Sequence, residues 1–227
     1  MIIAIDGPAG SGKSTIAQGV ARRLGLAYLD TGAMYRAVTL IALEQGVSLE
    51  DDDALGAVAL QVPLHFEDAS RGIPRVYVGE RDVSEAIRRP EVSRTVSQVA
   101  AHPQVRQALT ERQREFAADG DTVLEGRDTG TVVCPSADIK VFLTASVEER
   151  ARRRGQQLQE QGVDIDLDTL QRELLLRDEY DSGRAIAPLQ RARGALEIDT
   201  TALPADVVID LICEVAARAA GERQPSC

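Results

Sequence analysis

Tryptophan is absent from this 227-residue chain, and aromatic residues together make up only 3% of it. A core must therefore be built mainly from Leu, Val, Ile and Ala. A stacking surface for single-stranded nucleic acid is not expected. Lysine is nearly absent as well, standing only at Lys13 and Lys140. Any task that needs a compact ammonium group must fall on one of those two positions. The two histidines, His65 and His102, lie in no motif that places them near a phosphate, and both are read as structural. Three cysteines, Cys134, Cys213 and Cys227, are odd in number and far apart, which fits neither a zinc spacing nor a disulfide framework. A reducing, cytoplasmic setting is expected. No apolar run approaches 18 residues, so no membrane span is expected. The apolar stretch IIAID is too short for the core of a signal peptide and runs into a Gly-rich turn.

Hydrophobic residues make up 44%, enough for a sizeable core, and the length suits one α/β domain with an insertion or two small domains. The formal net charge is −10, which on average repels nucleic acid and anionic membranes. Within that acidic balance the positive charge is carried almost wholly by 24 arginines. Such a chain can still bind anions wherever several guanidinium groups converge.

Apolar patterning places strands at Ile2–Asp6, Ala27–Leu29, Thr122–Glu125, Ile139–Leu143 and Ala195–Ile198. Helices are expected at Ser14–Leu24, Ala33–Gln45, 91–100, 104–118, 147–160, 168–181 and 204–219, with a short one opening near Ser48–Asp53. Five short apolar strands separated by helices imply a parallel sheet covered on both faces. Residues 62–87 break the alternation with strand-like pieces around a turn at Ser70–Pro74, which reads as a small antiparallel insertion. Residues 153–166 are very polar and contain two glycines, the composition of a mobile lid. The closing GERQPSC is expected to fray.

Residues 7–14 read GPAGSGKS, a G-x-x-x-x-G-K-[ST] phosphate loop, with a strand before it and an amphipathic helix after it. Gly7, Pro8, Ala9, Gly10, Ser11, Gly12, Lys13, Ser14 and Thr15 are thus candidate nucleoside-triphosphate ligands. Backbone N–H groups of the turn and the helix N-terminus favour phosphate. Lys13 can reach the β- and γ-phosphates, and the Ser14 hydroxyl can ligate Mg²⁺. An N-K-x-D guanine motif is missing. The third strand ends in Glu125-Gly126-Arg127-Asp128 rather than in the paired acids of a motor ATPase, which fits a small-molecule kinase better. Such a kinase needs several arginines from separate segments to neutralise two phosphate groups. Candidates are Arg36, Arg106, Arg127, Arg150, Arg177 and Arg184. Arg36 and Arg127 follow the carboxyl ends of core strands, where open parallel sheets place ligands. Arg177, Asp181 and Arg184 share a face if their helix continues through Gly183; by spacing alone a salt-bridged helix face is the better reading of them.

GPAGSGKST, LDTGAMYRA, SQVAAHPQVR, LEGRDTGTVV and the RD…D..RA.APL pattern at 177–189, in this order, resemble the bacterial cytidylate kinases of the nucleoside monophosphate kinase family. The resemblance runs from the first strand to about residue 210. It implies phosphoryl transfer from ATP, with Mg²⁺, to CMP or dCMP. It further implies a five-stranded sheet in the order 2-3-1-4-5, a core domain of residues 1–60 and 100–227, a nucleoside-monophosphate insertion at 61–99 and a lid at 151–166. Thr31, Arg36, Ser97, Arg106, Arg127, Asp128, Arg177, Asp181 and Arg184 would line the acceptor site, with Thr31 standing where relatives often carry Ser. Lys13, Arg127, Asp128, Arg150 and Arg177 would carry catalysis.

The chemistry agrees with a division of labour. A carboxylate or hydroxyl, as at Asp128 and Ser97, can accept from the cytosine amino group, and uracil would face it with a carbonyl. Arg106 suits O2 or N3, and Asp181 suits a ribose hydroxyl. Arg36, Arg127 and Arg184 suit the acceptor phosphate, and Arg150 the charge on the group in flight. A monomer without nucleic-acid or membrane partners is expected. The alternatives are another small-molecule kinase, acting on UMP or shikimate, and a nucleotide-dependent switch or nucleic-acid-binding NTPase.

Overall fold

A computed structural model describes residues 1–67, 75–160, 162 and 165–222. The expected turn at Ser70–Pro74 lies outside these residues, as do the last five of the chain. The five core strands are β1 (Ile2–Asp6), β2 (Ala27–Asp30), β6 (Thr122–Gly126), β7 (Ile139–Thr144) and β8 (Leu196–Asp199). They form one sheet in the order β2-β6-β1-β7-β8, which is the 2-3-1-4-5 order of the sequence-based expectation. β1 and β7 run parallel with Ile3 opposite Ile139 and Asp6 opposite Phe142, and β7 and β8 run parallel with Val141 opposite Leu196. Ile3, Ala4 and Ile5 are wholly buried, as a central strand covered on both faces requires.

By packing, the chain divides into two compact units: Met1–Leu26 with Val123–Cys227, and Ala27–Thr122. In the first unit, α1 (Lys13–Leu24) buries Ile16, Ala17, Val20 and Ala21. It stops at Gly25, whose left-handed backbone (φ 68°) closes the last turn, with Arg22 and Arg23 beside the negative end of the helix dipole. α8 (Ala205–Glu222) packs against α1 so closely that a Cβ on Gly19 would lie 2.3 Å from the Ile209 Cδ1. The helix persists to Glu222, beyond the start of the segment expected to fray. α6 (Val147–Glu160) and α7 (Leu167–Gly183) share a cluster of Ala151, Leu158, Leu170 and Leu174. Gly155 leaves room there for Leu167.

In the second unit, the Asp30 carboxylate caps α2 (Thr31–Glu44), accepting from the Ala33 N–H at 2.9 Å. α3 (Asp52–Gln61) follows, capped in the same way by Asp51. Strands β3 (Leu64–Phe66), β4 (Val76–Val78) and β5 (Arg81–Asp82) form the small antiparallel sheet read from the sequence. The His65 and Tyr77 rings stack across it at 4.8 Å. α4 (Pro90–Val99) and α5 (Pro103–Ala118) both begin at a proline, whose missing N–H costs nothing in a first helical turn. Ala33, Ala37, Leu40, Val76, Val83, Ile87 and Val92 make the unit's own core. His102 is held by the Leu49 carbonyl at 2.8 Å and by Asp52.

Candidate active site

The phosphate loop joins β1 to α1 in the first unit. Gly7 has φ 151°, and a Cβ there would stand 2.1 Å from the backbone oxygen of Leu143, so no other residue fits without moving β7. Gly12 (φ 87°) turns the chain into the helix in a left-handed conformation. Lys13, 7% exposed, donates to the Pro8 carbonyl at 2.7 Å and so lies folded over the loop. Burial, with the Arg127 guanidinium nearby, lowers its pKa to about 7, against the opposing pull of Glu125. The Ser14 hydroxyl donates to Glu125 Oε2 at 3.0 Å. Among the described residues Ser11 Oγ, which is buried, has no hydrogen-bond partner.

A carboxylate inside α7, that of Asp181, collects three arginines of this unit. Arg127 Nε donates to Asp181 Oδ2 at 2.9 Å, and Arg177 Nε lies 4.0 Å from the same oxygen. Arg184 donates to the backbone oxygens of Asp181 and Ala187, at 3.2 and 2.9 Å. α7 does continue to Gly183, so Arg177 and Asp181 share a face and Arg184 stands at the C-terminal end. Burial acts to raise the Asp181 pKa, but Arg127, Arg177 and Arg184 outweigh it and hold the carboxyl below its ordinary range. One helical turn earlier, Asp178 accepts from Arg150 at 2.6 Å. Here burial wins and the Asp178 pKa is raised, although Arg150 opposes it. Arg150 also donates to the carbonyl of Ala9 in the phosphate loop, at 3.2 Å.

A cavity of about 510 Å³ opens beside Gly12 and Thr15. Its other walls include Glu149, Arg152, Arg153 and the Thr200–Ala205 segment. Glu149 bonds both arginines, and its pKa falls to about 2, chiefly through the Arg152 hydrogen bond. Arg153 in turn donates to Thr200, whose hydroxyl donates to the carbonyl of Ser11.

The sequence pattern of the cytidylate kinase family matches residues 3–218. The cytidylate kinase of Carboxydothermus hydrogenoformans is 47% identical over 218 residues, covering 96% of this chain and 98% of that protein. The cytidylate kinase of Exiguobacterium sibiricum is 51% identical over 214 residues, covering 94% and 96%. The chain belongs to the cytidylate kinase family. Among solved structures, a gluconokinase from Sinorhizobium meliloti shares the fold at 17% identity, with a TM-score of 0.50 over 97% of this chain and 93% of that one.

In this cytidylate kinase family member the expected residues fall into two groups. Lys13, Arg127, Arg150, Arg177, Asp181 and Arg184 all belong to the first unit, where Asp181 gathers three of them. Asp128, 6% exposed, follows Arg127 there at the mouth of β6. Thr31, Arg36, Ser97 and Arg106 belong to the second unit. Thr31 is buried at the first position of α2, and Ser97 is half-buried on α4. Arg36 pairs with Asp30 at 2.6 Å, while its buried Nε has no partner among the described residues. Arg106 is buried, donates to the Ala100 carbonyl at 3.1 Å, and lies 5.4 Å from the Tyr35 ring centroid. Sequence reasoning noted Glu125 only as the end of a strand and missed Asp178, Glu149 and Thr200. The place of Glu125 at the carboxyl end of a core strand, opposite the loop serine, was the signal that could have assigned it a partner. The other three are ordinary polar residues until tertiary packing sets them beside the loop.

Proposed function

We propose that the protein transfers the terminal phosphoryl group of ATP to CMP or dCMP, giving CDP or dCDP. The observation that carries this is the family match across residues 3–218. The geometry of the phosphate loop supports the donor half, and the arginines around Asp181 support the acceptor half.

Gly7–Thr15 would hold the triphosphate, with loop amides and the α1 dipole on the phosphate oxygens. Lys13 would leave the Pro8 carbonyl for the β- and γ-phosphates. The cavity beside Gly12 has the size for the nucleoside part of ATP, with Arg152 and Arg153 at its rim. Among the described residues no cluster of three or more His, Cys, Asp or Glu could hold a metal by itself. The exposed Ser14 hydroxyl beside the buried Glu125 carboxylate does suit Mg²⁺, which needs only one or two protein oxygens once phosphates and water complete its shell. Bound there, Mg²⁺ would screen the charge on the β- and γ-phosphates.

For the acceptor, Arg36, Arg127 and Arg184 are assigned to the phosphate, Asp181 to a ribose hydroxyl, and Asp128, Ser97, Thr31 and Arg106 to the base and its surroundings. Arg150 and Arg177 would meet the charge of the transition state. An acceptor phosphate is already an anionic nucleophile, so no strong base or covalent intermediate is required, and catalysis rests on alignment and charge stabilisation. The stretch 151–166 is proposed as the lid and 61–99 as the acceptor-binding insertion. No helix among the described residues is long and apolar enough to cross a membrane. A cytoplasmic monomer is the setting that goes with this activity.

A coupled assay comparing CMP, dCMP, UMP and AMP as acceptors tests the proposal. CMP or dCMP should give the highest kcat/KM. Preference for UMP or AMP would overturn it.

A further inference from the structure

Asp6 ends β1 and immediately precedes Gly7. It is 2% exposed, and neither the loop chemistry nor the acceptor assignment uses it. Its carboxylate is nonetheless fully engaged. Oδ1 accepts from the Thr129 N–H and from Thr129 Oγ1, both at 2.8 Å, and Oδ2 accepts from the Gly130 N–H at 2.8 Å. These two amides open a π-helical turn at Thr129–Val133, a rare conformation that gathers at functional sites. The first N–H groups of any helical turn lack partners within it. Here a side chain from a different strand supplies them.

The cost of that choice is visible. Burial pushes the Asp6 pKa up and the nearby Asp128 adds to it, while the three donors act to bring it down. A buried carboxylate is tolerable only when hydrogen-bonded in this way. The turn could have been capped by a local Ser or Asn at less electrostatic cost. Capping it from β1 does something a local cap cannot. The Asp6 backbone is held in register opposite Phe142 of β7 and leads directly into the phosphate loop. Its side chain holds the segment that follows Arg127 and Asp128. The Asp128 carbonyl in turn accepts from the amides of Val132 and Val133, at 2.9 and 3.2 Å, so the fixed turn fixes Asp128 as well.

We propose that Asp6 is a positioning residue for the acceptor nucleotide. Its carboxylate sets the height of Arg127 and Asp128 relative to the phosphate loop, so donor and acceptor contacts are referred to one strand end. The inference rests on the acceptor assignment made above. Asp6→Asn keeps the shape but sets an NH₂ donor against one of the backbone donors. The turn then loses a bond and the residues before it shift, while Gly7, still wedged against Leu143, keeps the donor loop in place.

The test is steady-state kinetics of Asp6→Asn, Thr129→Val and Thr129→Ser with CMP and UMP at varied ATP. For Asp6→Asn, kcat/KM for CMP should fall about a hundredfold, as misplacement near 1 Å would do. The CMP-over-UMP preference should shrink, and KM for ATP should stay within about twofold. Thr129→Val, lacking one of the three donors, should move the same way by less, and Thr129→Ser, keeping the hydroxyl, should restore most of the loss. If Asp6→Asn does not fold, the Val and Ser pair decides the matter. A lower Tm with unchanged CMP KM and unchanged base preference in the folded variants would overturn the inference. If the wild-type enzyme prefers another acceptor, the cytidylate reading falls instead, and the split between acceptor and ATP KM still tests Asp6.

Discussion

Lys13 shows how a single residue is tuned by its surroundings. It is one of two lysines, it is buried, and its pKa is lowered to about 7 by desolvation and then by Arg127. Between pH 7 and the ordinary lysine value the unfolded chain binds more protons than the folded one. Through this group, stability of the free protein therefore rises with pH across that window and is independent of pH below it. Triphosphate near the ammonium would favour its charged form and raise the pKa again. ATP binding at pH 8 should therefore take up protons, seen by calorimetry as a dependence of the binding heat on the buffer's ionisation enthalpy. Lys13→Met should abolish both the uptake and phosphoryl transfer while leaving CMP binding largely intact. Proton release by the wild-type protein would contradict this account.

At the scale of elements, close approach is set by small residues. α1 and α8 meet at Gly19, where the nearest side-chain atom is the Cδ1 of the buried Ile209. Gly19→Ala gains helix propensity, yet overpacking at such a contact costs about 1–3 kcal/mol. A lower denaturation midpoint is expected, and Ile209→Val, which removes the clashing Cδ1, should recover part of the loss in the double variant. A midpoint equal to wild type in Gly19→Ala would show that the two helices slide apart freely. The same logic joins α6 to α7 at Gly155. α6 is the helix expected at 147–160, and it covers the first part of the polar stretch 153–166.

Over the whole molecule, a chain of net charge −10 is assigned two anionic substrates. Concentration of guanidinium groups resolves the conflict: Arg127, Arg177 and Arg184 meet at Asp181, and Arg150 is held by Asp178 beside the loop. Each carboxylate partner keeps its arginines ordered in the free protein. If these arginines bind the phosphates as proposed, the donors would already be in place, which would lower the ordering cost of binding. Binding of ATP to the folded state alone should stabilise the protein by about 2.7 kcal/mol at a hundredfold excess over Kd. A thermal shift with ATP that is lost in Lys13→Met would match, and an equal shift in both would place the ATP site elsewhere.

The sequence by itself determined the sheet and the phosphate loop. Both are written in local signals: short apolar strands, a strand–glycine–helix junction, proline at helix starts and glycine at helix stops. The core strand boundaries were legible to within about a residue, because backbone hydrogen bonding and burial act over the same few residues. The residues that surround the loop were not legible in this way. Glu125, Asp178, Thr200 and Asp6 are polar side chains with no periodicity of their own. Their roles come from partners 111, 28, 189 and 123 positions away. Spacing alone favoured a salt-bridged helix face for Arg177, Asp181 and Arg184. Only the tertiary structure, by burying Asp181 at 3% exposure and bringing Arg127 to it from the end of β6, showed that this face is not a solvated one, because an ion pair so far from solvent must be built by the fold around it.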